Sequence, residues 1–353
     1  MTSSFQSPFQ EDVNISTIEM HTAGEPLRII TSGFPQLNGT TILDKRKYLK
    51  EHFDHYRKLL MFEPRGHFDM YGVLLVAPDV DGADIGAIFL HNEGYSTMCG
   101  HAVIALGRYA IDHGLVKNPT SPETRVGIQC PCGLVEAFVE YQPGGSGCEE
   151  GRTGAVRFQS VPSFLFASGL KVDVPGYCMQ SVDVSYGGAF YAFVTDSNVG
   201  VTLKSSPMQA VVKAAHAVSE AVKSTVSISH PDSDDLAFLY GTIITDGKDA
   251  FSDKVTANVC VFADRQVDRS PTGSGVSARI ALQYFKGHIG LGQSRTFESG
   301  ATGSVFTAKA VQEVTCGEFK AVVVEVGGKA FYTGGNTFTL EREDTLGHGF
   351  LVQ

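Results

Sequence analysis

A chain of 353 residues, with 42% hydrophobic and 19% charged side chains, is long enough for two domains and too apolar for a disordered chain. Its net charge of −10 and its lack of a basic block argue against nucleic acid or a membrane as partner, because both attract clustered Lys and Arg. The seven cysteines are irregularly spaced and no apolar leader segment opens the chain, so we expect a reduced cytoplasmic protein.

The first part of the chain is predicted to contain strands and two amphipathic helices. Short β-branched or alternating apolar runs predict strands at 17–21, 27–31, 72–76, 85–90, 125–129, 134–140 and 155–160. Apolar residues at helical spacing predict helices at 45–60 and 102–115. The glycine-rich segment 141–154 is expected to be a linker or the tip of a hairpin.

The second part repeats this mixture, with helices predicted at 208–225 and 276–289. Strands are predicted at 191–195, 237–245, 255–261 and several times within 304–338. Many short turns between strands favour an α+β fold with mixed sheets. No nucleotide-binding glycine motif follows a strand, and Cys130-Pro131-Cys132 lacks a second Cys/His pair at zinc spacing. We therefore expect neither a cofactor nor a metal.

Cys99 is the first candidate catalytic residue, because Met98-Cys99-Gly100-His101 leads into a predicted helix. The positive end of the helix dipole favours a thiolate and is expected to lower the pKa of this thiol. Such a thiolate could act as a nucleophile or a base, whereas the alternative is a buried structural cysteine. His101 could assist by hydrogen bonding, or it could pack or cap the helix.

A second helix is preceded by the segment Pro271-Thr272-Gly273-Ser274-Gly275. Backbone N–H groups at such a helix start can hold a carboxylate or a phosphate. Asp268 lies just before this segment and could bind an ammonium group, unless it is an ordinary turn residue. Donors for a carboxylate together with a carboxylate for an amine suit an amino-acid-like ligand.

The two helix starts resemble each other. Gly114 follows Cys99 at the same interval at which Gly287 follows Thr272. This loose duplication predicts two related halves, each of which offers a helix N-terminus to one shared site. The two halves differ in that one carries a thiol where the other carries a hydroxyl.

Five blocks of the chain are similar to signature segments of the proline racemase family. In chain order they are His21-Thr22-Ala23-Gly24-Glu25-Pro26, Met98-Cys99-Gly100-His101, Tyr186-Gly187-Gly188-Ala189-Phe190-Tyr191-Ala192, Asp268-Arg269-Ser270-Pro271-Thr272-Gly273 and Leu346-Gly347-His348-Gly349-Phe350. The resemblance implies a diaminopimelate-epimerase-like α+β fold, in which two pseudo-symmetric halves each wrap a sheet around a central helix. It also implies a site between the halves and a homodimer.

On this basis we expect an N-terminal half at 17–150 that carries Cys99. A C-terminal half at 151–342 carries Asp268 and Thr272, and the segment 343–353 returns to the first half.

Racemases of this family use a cysteine in each half, whereas Thr272 stands at the second position here. A threonine hydroxyl is too weak an acid to exchange protons reversibly near neutral pH, so only Cys99 can serve the α-carbon. The carbanion must then react in another way, and the loss of a β-hydroxyl group as water is such a reaction. The chain thus resembles the branch of trans-3-hydroxy-L-proline dehydratases, which implies Δ1-pyrroline-2-carboxylate as the product and no cofactor.

In this interpretation Cys99 removes the α-proton and Thr272 lies near the hydroxyl or the carboxylate of the substrate. The predicted substrate-binding residues are Gly100, His101, Gly273 and Ser274, through backbone N–H groups that hold the carboxylate, and Asp268, which holds the ring ammonium. The partner is therefore a small imino acid.

Two other functions stay open at this point. A proline racemase or hydroxyproline 2-epimerase could work despite Thr272, and a protein that binds proline analogues without turnover could keep the same fold. The position of the ring hydroxyl is also open, as are the roles of Glu25, His67 and Asp69.

Overall fold

The protein is described by a computed structural model over residues 12–144 and 151–352. Its helices are α1 (Ile42–His52), α2 (Asp54–Met61), α3 (Gly100–Asp112), α4 (Met208–Thr225) and α5 (Gly273–Phe285), with a short 3-10 turn at Asp234–Leu236. None of these helices is long and apolar enough to cross a lipid bilayer.

The described strands pair into one mixed sheet network. They are β1 (Val13–Thr22), β2 (Glu25–Ser32), β3 (Tyr71–Val76), β4 (Ile85–His91), β5 (Gly94–Ser96), β6 (Glu123–Cys130), β7 (Gly133–Gln142), β8 (Arg152–Gln159), β9 (Phe164–Val174), β10 (Cys178–Tyr186), β11 (Phe190–Thr195), β12 (Leu239–Thr245), β13 (Thr256–Phe262), β14 (Gln266–Val267), β15 (Arg295–Ser299), β16 (Val305–Cys316), β17 (Phe319–Gly328) and β18 (Ala330–Leu340). The pairs β2–β3, β4–β6, β11–β12 and β13–β15 are parallel, and the other strand pairs are antiparallel.

The helices α3 and α5 are the two central helices, and each is covered by its own set of strands. Strands β1, β2, β6, β7, β8 and β18 pack on α3, whereas β9, β10, β11, β16 and β17 pack on α5. Both helices are buried along most of their length and are followed by a glycine with positive φ, Gly114 and Gly287, which lets the chain turn away. The predicted α+β fold with two sheet-wrapped helices is confirmed.

Strands from the two predicted halves are joined by hydrogen bonds. Strand β8 pairs with both β7 and β17, and β18 pairs along its length with β1. Near the C-terminus, Phe350 exchanges two backbone hydrogen bonds with Glu63, at 2.9 and 3.0 Å. The boundaries at residues 150 and 342 stay a prediction.

The N-termini of α3 and α5 meet head to head at two glycines. A Cβ atom on Gly100 would lie 2.4 Å from the Cα of Gly273, and a Cβ on Gly273 would lie 2.6 Å from the Cα of Gly100. No side chain fits between them, so glycine is required on both sides. This contact brings the residues that precede the two helices, Cys99 and Thr272, to one place.

The segment between β10 and β11 closes around the same point. A Cβ on Gly187 would lie 2.2 Å from the backbone oxygen of Ser274, and one on Gly188 would lie 2.7 Å from the side chain of Met98. The hydroxyl of Thr97 donates to the backbone oxygen of Gly188 at 2.8 Å. These two glycines therefore let one loop touch both helix heads.

The helix predicted at 45–60 is wrong as one element, because the structure has α1 and α2 with a break at Phe53. A capping box formed by Thr41 and Asp44 starts α1 before the predicted start. The backbone of Phe53 leaves the helical region, and its ring packs edge-on against Tyr48 and Tyr56.

Other differences concern element ends and missed strands. The central helices begin at Gly100 and Gly273 rather than at 102 and 276, which places both glycines in the first helical turn. Strands β9 and β10 were not predicted, because their exposed faces interrupt the apolar pattern. The segment 141–154 closes a hairpin, since β7 and β8 pair up to Gln142 and Arg152, while 145–150 lie outside the described residues.

Replacing Gly100 by alanine should destabilise the protein by about 3 kcal/mol or more, because the added methyl group collides with backbone rather than with a movable side chain. A thermal melt measures the loss, and Gly334→Ala in β18 is the control, since its Cβ would meet nothing within 4 Å. A Gly100→Ala protein as stable as the control would contradict the head-to-head contact.

Candidate active site

One cavity lies where the two helix heads meet, and it is lined by groups from both halves. Its lining residues are Glu25, Tyr71, Met98, Cys99, Gly100, His101, Tyr191, Tyr240, Phe262, Asp268, Thr272, Gly273 and Ser274. The space is about 20 Å³, which holds about one water molecule. A ligand of the size of proline therefore enters only when the walls move apart.

Cys99 precedes α3 and lies beside His101 in the cavity wall. The Sγ atom of Cys99 is 3.1 Å from the Nδ1 atom of His101. Burial lowers the pKa of His101 to about 3, against a hydrogen bond to the backbone of Pro26 that raises it. Pro26 has no N–H, so the neutral ring must donate to its carbonyl group, and the other ring nitrogen is left to accept the thiol proton of Cys99.

The expected lowering of the Cys99 pKa is wrong for this closed cavity. Burial raises the pKa of the thiol well above its usual value, and the negative charge of Asp268 adds to the increase. A hydrogen bond from the backbone of Ala102 acts in the expected direction but is outweighed. Cys99 is thus a thiol here, and thiolate formation requires a positive charge in the cavity.

Thr272 stands before α5, opposite the position that Cys99 takes before α3. Its backbone has φ 68°, a region that non-glycine residues rarely adopt. The N–H of Thr272 donates to Ser270 Oγ at 3.0 Å, and its carbonyl accepts from Val276 at 2.7 Å. The Oγ1 atom is buried and makes no hydrogen bond of good geometry among the described residues, although the hydroxyl lies close enough to Asp268 to lower the pKa of that carboxyl group.

Asp268 is a buried carboxyl at the start of the same loop. Its Oδ1 atom accepts a hydrogen bond from the backbone N–H of Ser270 at 2.8 Å. Burial raises the pKa of Asp268 to about 6, while its hydrogen bonds with Ser270 limit the increase. The group is therefore ionised at neutral pH and can hold a cation.

Glu25 is a second buried carboxyl in the cavity, at the first residue of β2. The backbone N–H of Arg269 donates to its Oε2 atom at 2.6 Å, whereas its Oε1 atom has no partner among the described residues. Burial raises the pKa of Glu25 well above its usual value, and the charge of Asp268 raises it further. Both effects favour the protonated form of Glu25.

Aromatic rings form much of the remaining wall. Tyr240 stacks on Phe262 with 5.2 Å between ring centroids, and Tyr71 meets the ring of His101 edge-on at 4.9 Å. The hydroxyl of Tyr191 is 2.7 Å from Ser274 Oγ at the head of α5. These rings exclude water and so account for the large pKa shifts of the acids in the cavity.

All seven residues predicted for the site line this one cavity, and their roles remain proposals. Sequence reasoning missed the aromatic wall, and it left Glu25 without a role although this residue stands in one of the signature blocks. His67 and Asp69 do not line the cavity. Asp69 instead accepts from the N–H of Val267 at 3.1 Å and lies 3.5 Å from the guanidinium group of Arg269.

A group of possible metal ligands lies elsewhere, formed by His230, Asp232 and Cys316, whose ligand atoms lie within 4.8 Å of one another. Burial raises the pKa of Cys316 to about 11, and Asp232 contributes to the increase. The Nδ1 atom of His230 accepts from the N–H of Asp232 at 3.2 Å. None of the three lines the cavity described above.

Solved structures of other proteins share this fold. A solved hydroxyproline epimerase from Agrobacterium vitis, with trans-4-hydroxy-L-proline bound, superposes with a TM-score of 0.87 at 25% identity, covering 96% of this chain and 95% of that one. The sequence model of the proline racemase family matches residues 17–351. The chain belongs to this family.

Two relatives that are 59% identical to this chain are both named as dehydratases of the same compound. A trans-L-3-hydroxyproline dehydratase of Xenopus tropicalis is 59% identical over 348 residues, which is 99% of this chain and 98% of the relative. A trans-3-hydroxy-L-proline dehydratase of Homo sapiens is 59% identical over 342 residues, which is 96% of this chain and 95% of the relative.

Proposed function

We propose that this protein is a hydro-lyase that converts trans-3-hydroxy-L-proline to Δ1-pyrroline-2-carboxylate. The observation that carries the proposal is the pairing of one thiol, Cys99, with one hydroxyl, Thr272, at two helix heads that meet over a closed cavity. The names of the relatives at 59% identity agree with it.

The two helix heads are proposed to bind the substrate carboxylate. The first backbone N–H groups of a helix have no acceptor within the helix, and here two such ends converge at Gly100 and Gly273. Their dipoles both point positive ends into the cavity, so an anion there is favoured. As the α-proton leaves, charge spreads toward the carboxylate, and the N–H groups of Gly100, His101, Gly273 and Ser274 stabilise it.

Asp268 is proposed to bind the ring ammonium, and this contact also prepares Cys99. The arriving positive charge offsets the negative charge of Asp268, which otherwise raises the pKa of the thiol. The thiol of Cys99 lies 3.1 Å from His101 Nδ1, which orients it, and once the thiol proton has left to solvent the thiolate removes the proton from C2. Substrate binding and base formation are thereby coupled.

Product analysis tests the proposal. Incubation with trans-3-hydroxy-L-proline should give an imine that o-aminobenzaldehyde traps, whereas trans-4-hydroxy-L-proline, which has no β-hydroxyl, should give none. Recovery of the 2-epimer of either compound, without imine, would favour an epimerase. Binding of pyrrole-2-carboxylate without turnover of either compound would favour a silent binding protein.

The pH dependence follows from Asp268. Because its pKa is raised to about 6 and only its ionised form holds the ammonium, kcat/KM should fall about tenfold for each pH unit below 6. Asp268→Asn should lower kcat/KM at neutral pH and abolish this acid limb. A profile for the unchanged protein that is flat between pH 5 and 7 would contradict the assignment.

We also propose that the protein is cytoplasmic and forms a homodimer. The first rests on the composition and cysteine usage of the chain, and the second on the family resemblance. The small imino acid is the proposed partner, and no nucleic acid or membrane partner is proposed.

A further inference from the structure

The carboxyl of Glu25 is the group in the cavity that the proposed roles leave unused. Its side chain is fully buried, and only its Oε2 atom is held, by the N–H of Arg269 at 2.6 Å. The Oε1 atom has no hydrogen-bond partner among the described residues, although Glu25 lines the cavity. Leaving a buried oxygen unpaired is costly, so a ligand is the natural partner for this atom.

The turn that carries Glu25 packs against the Cys99 side of the cavity, and the carboxyl of Glu25 reaches across to the backbone of Arg269. Glu25 follows the tight turn between β1 and β2, where Thr22 pairs with Glu25, and the hydroxyl of Thr22 donates to the backbone oxygen of His101 at 2.8 Å. This turn is therefore fastened to the first turn of α3. Glu25 and Cys99 line the same cavity.

The stereochemistry of the substrate places the leaving group on the same side. In trans-3-hydroxy-L-proline the hydroxyl and the carboxylate stand on opposite faces of the ring, so the hydroxyl shares its face with the α-proton. The base that takes this proton, Cys99, and the acid that protonates the hydroxyl must then approach one face. Thr272 takes the position of the second base of the racemases, which serves the opposite face of the ring. It is therefore not placed to protonate the hydroxyl.

We propose that Glu25 is the acid that protonates the departing 3-hydroxyl, an inference that rests on the proposed function. The Cys99 thiolate takes the α-proton, and the C2–H electron pair forms the C2=C3 bond. The C3–O bond breaks, and the oxygen takes the Glu25 proton and leaves as water. The enamine tautomerises to the imine, the Cys99 thiol now carries the former α-proton, and the Glu25 carboxylate regains a proton from solvent.

Other acids on this side are already engaged. The N–H of His101 is given to the carbonyl of Pro26, and the hydroxyl of Tyr71 is in contact with Ser96. Hydrogen bonds with Ser270 and Thr272 favour the charged form of Asp268, which is the form proposed to bind the ammonium group. Of the two carboxyl groups that line the cavity, Glu25 is the one with a buried oxygen that has no partner among the described residues.

A substrate whose leaving group needs no protonation distinguishes an acid role of Glu25 from a structural role, because only the acid role is unnecessary for that substrate. Glu25→Gln should lower kcat for water loss from trans-3-hydroxy-L-proline by about 10²- to 10⁴-fold. The same variant should release fluoride from trans-3-fluoro-L-proline within about fivefold of the unchanged protein, because fluoride leaves as an anion. A fluoride electrode and imine trapping measure the two rates.

Glu220→Gln is the control, since it changes an exposed carboxylate that pairs with Lys223 and does not line the cavity, and both rates should stay within about threefold. Equal loss of both rates in a folded Glu25→Gln protein, or no loss of either, would overturn the inference. Should Glu25→Gln fail to fold, Glu25→Asp should still lose water elimination more than fluoride elimination, and equal losses would overturn it. If the unchanged protein releases no imine from the hydroxy compound, the proposed function itself is wrong.

Discussion

Cys99→Ser should lower kcat for dehydration of trans-3-hydroxy-L-proline by about 10³- to 10⁴-fold, which is the upper range for loss of a positioned base. Serine keeps the size and the place at the head of α3, but its hydroxyl cannot form the anion that removes the α-proton. Exchange of the α-hydrogen with deuterium from D2O should fall in parallel, because it depends on the same step.

Two controls separate chemistry from folding in this experiment. Cys178→Ser changes an exposed cysteine and should leave the rate unchanged. Calorimetry with pyrrole-2-carboxylate should show that Cys99→Ser still binds a planar analogue, since the N–H groups of Gly100 and Gly273 remain. Near-normal dehydration by Cys99→Ser would remove this residue from the base role.

The residues at the two helix heads could be predicted from sequence because their chemistry depends on local features. The first N–H groups of any helix have no acceptor within the helix. The sequence alone therefore predicts that the N–H groups of Gly100 and Gly273 can donate hydrogen bonds to an anion. Their contact could not be predicted, because it brings together residues that are far apart in sequence and depends on how two separate sets of strands pack around the two helices.

The pKa of Cys99 shows where local reasoning fails. The helix dipole and the N–H of Ala102 favour the thiolate, as the sequence predicts, yet burial among Tyr71, Tyr240 and Phe262 has the larger effect. These rings come from three different strands or strand ends, and nothing in their spacing indicates a shared wall. Desolvation is a property of the assembled cavity, so it appears only with the structure.

Glu25 illustrates the same limit for a charged residue. In sequence it is a glutamate at a turn, where an exposed side chain is the ordinary expectation. The structure buries it completely, because the N–H of Arg269 on the other half holds one of its oxygens. Its position in a signature block was the only available signal.

Thr272→Cys should convert the protein into a racemase of L-proline, with a rate at least about 10²-fold above that of the unchanged protein. L-proline has no β-hydroxyl, so its carbanion can only be reprotonated. A thiol before α5 supplies the missing proton donor on the second face.

D-proline is measured by chiral chromatography, and Thr272→Ser serves as the matched control because it keeps a hydroxyl at the same backbone position. Thr272→Ser should form no D-proline above the unchanged protein, and the double variant Cys99→Ser/Thr272→Cys should lose what Thr272→Cys gains. With trans-3-hydroxy-L-proline, Thr272→Cys should also yield some cis-3-hydroxy-D-proline, because reprotonation of the second face now competes with loss of water. A folded Thr272→Cys protein that binds pyrrole-2-carboxylate yet makes neither D-compound would contradict the argument that Thr272 directs the reaction toward elimination.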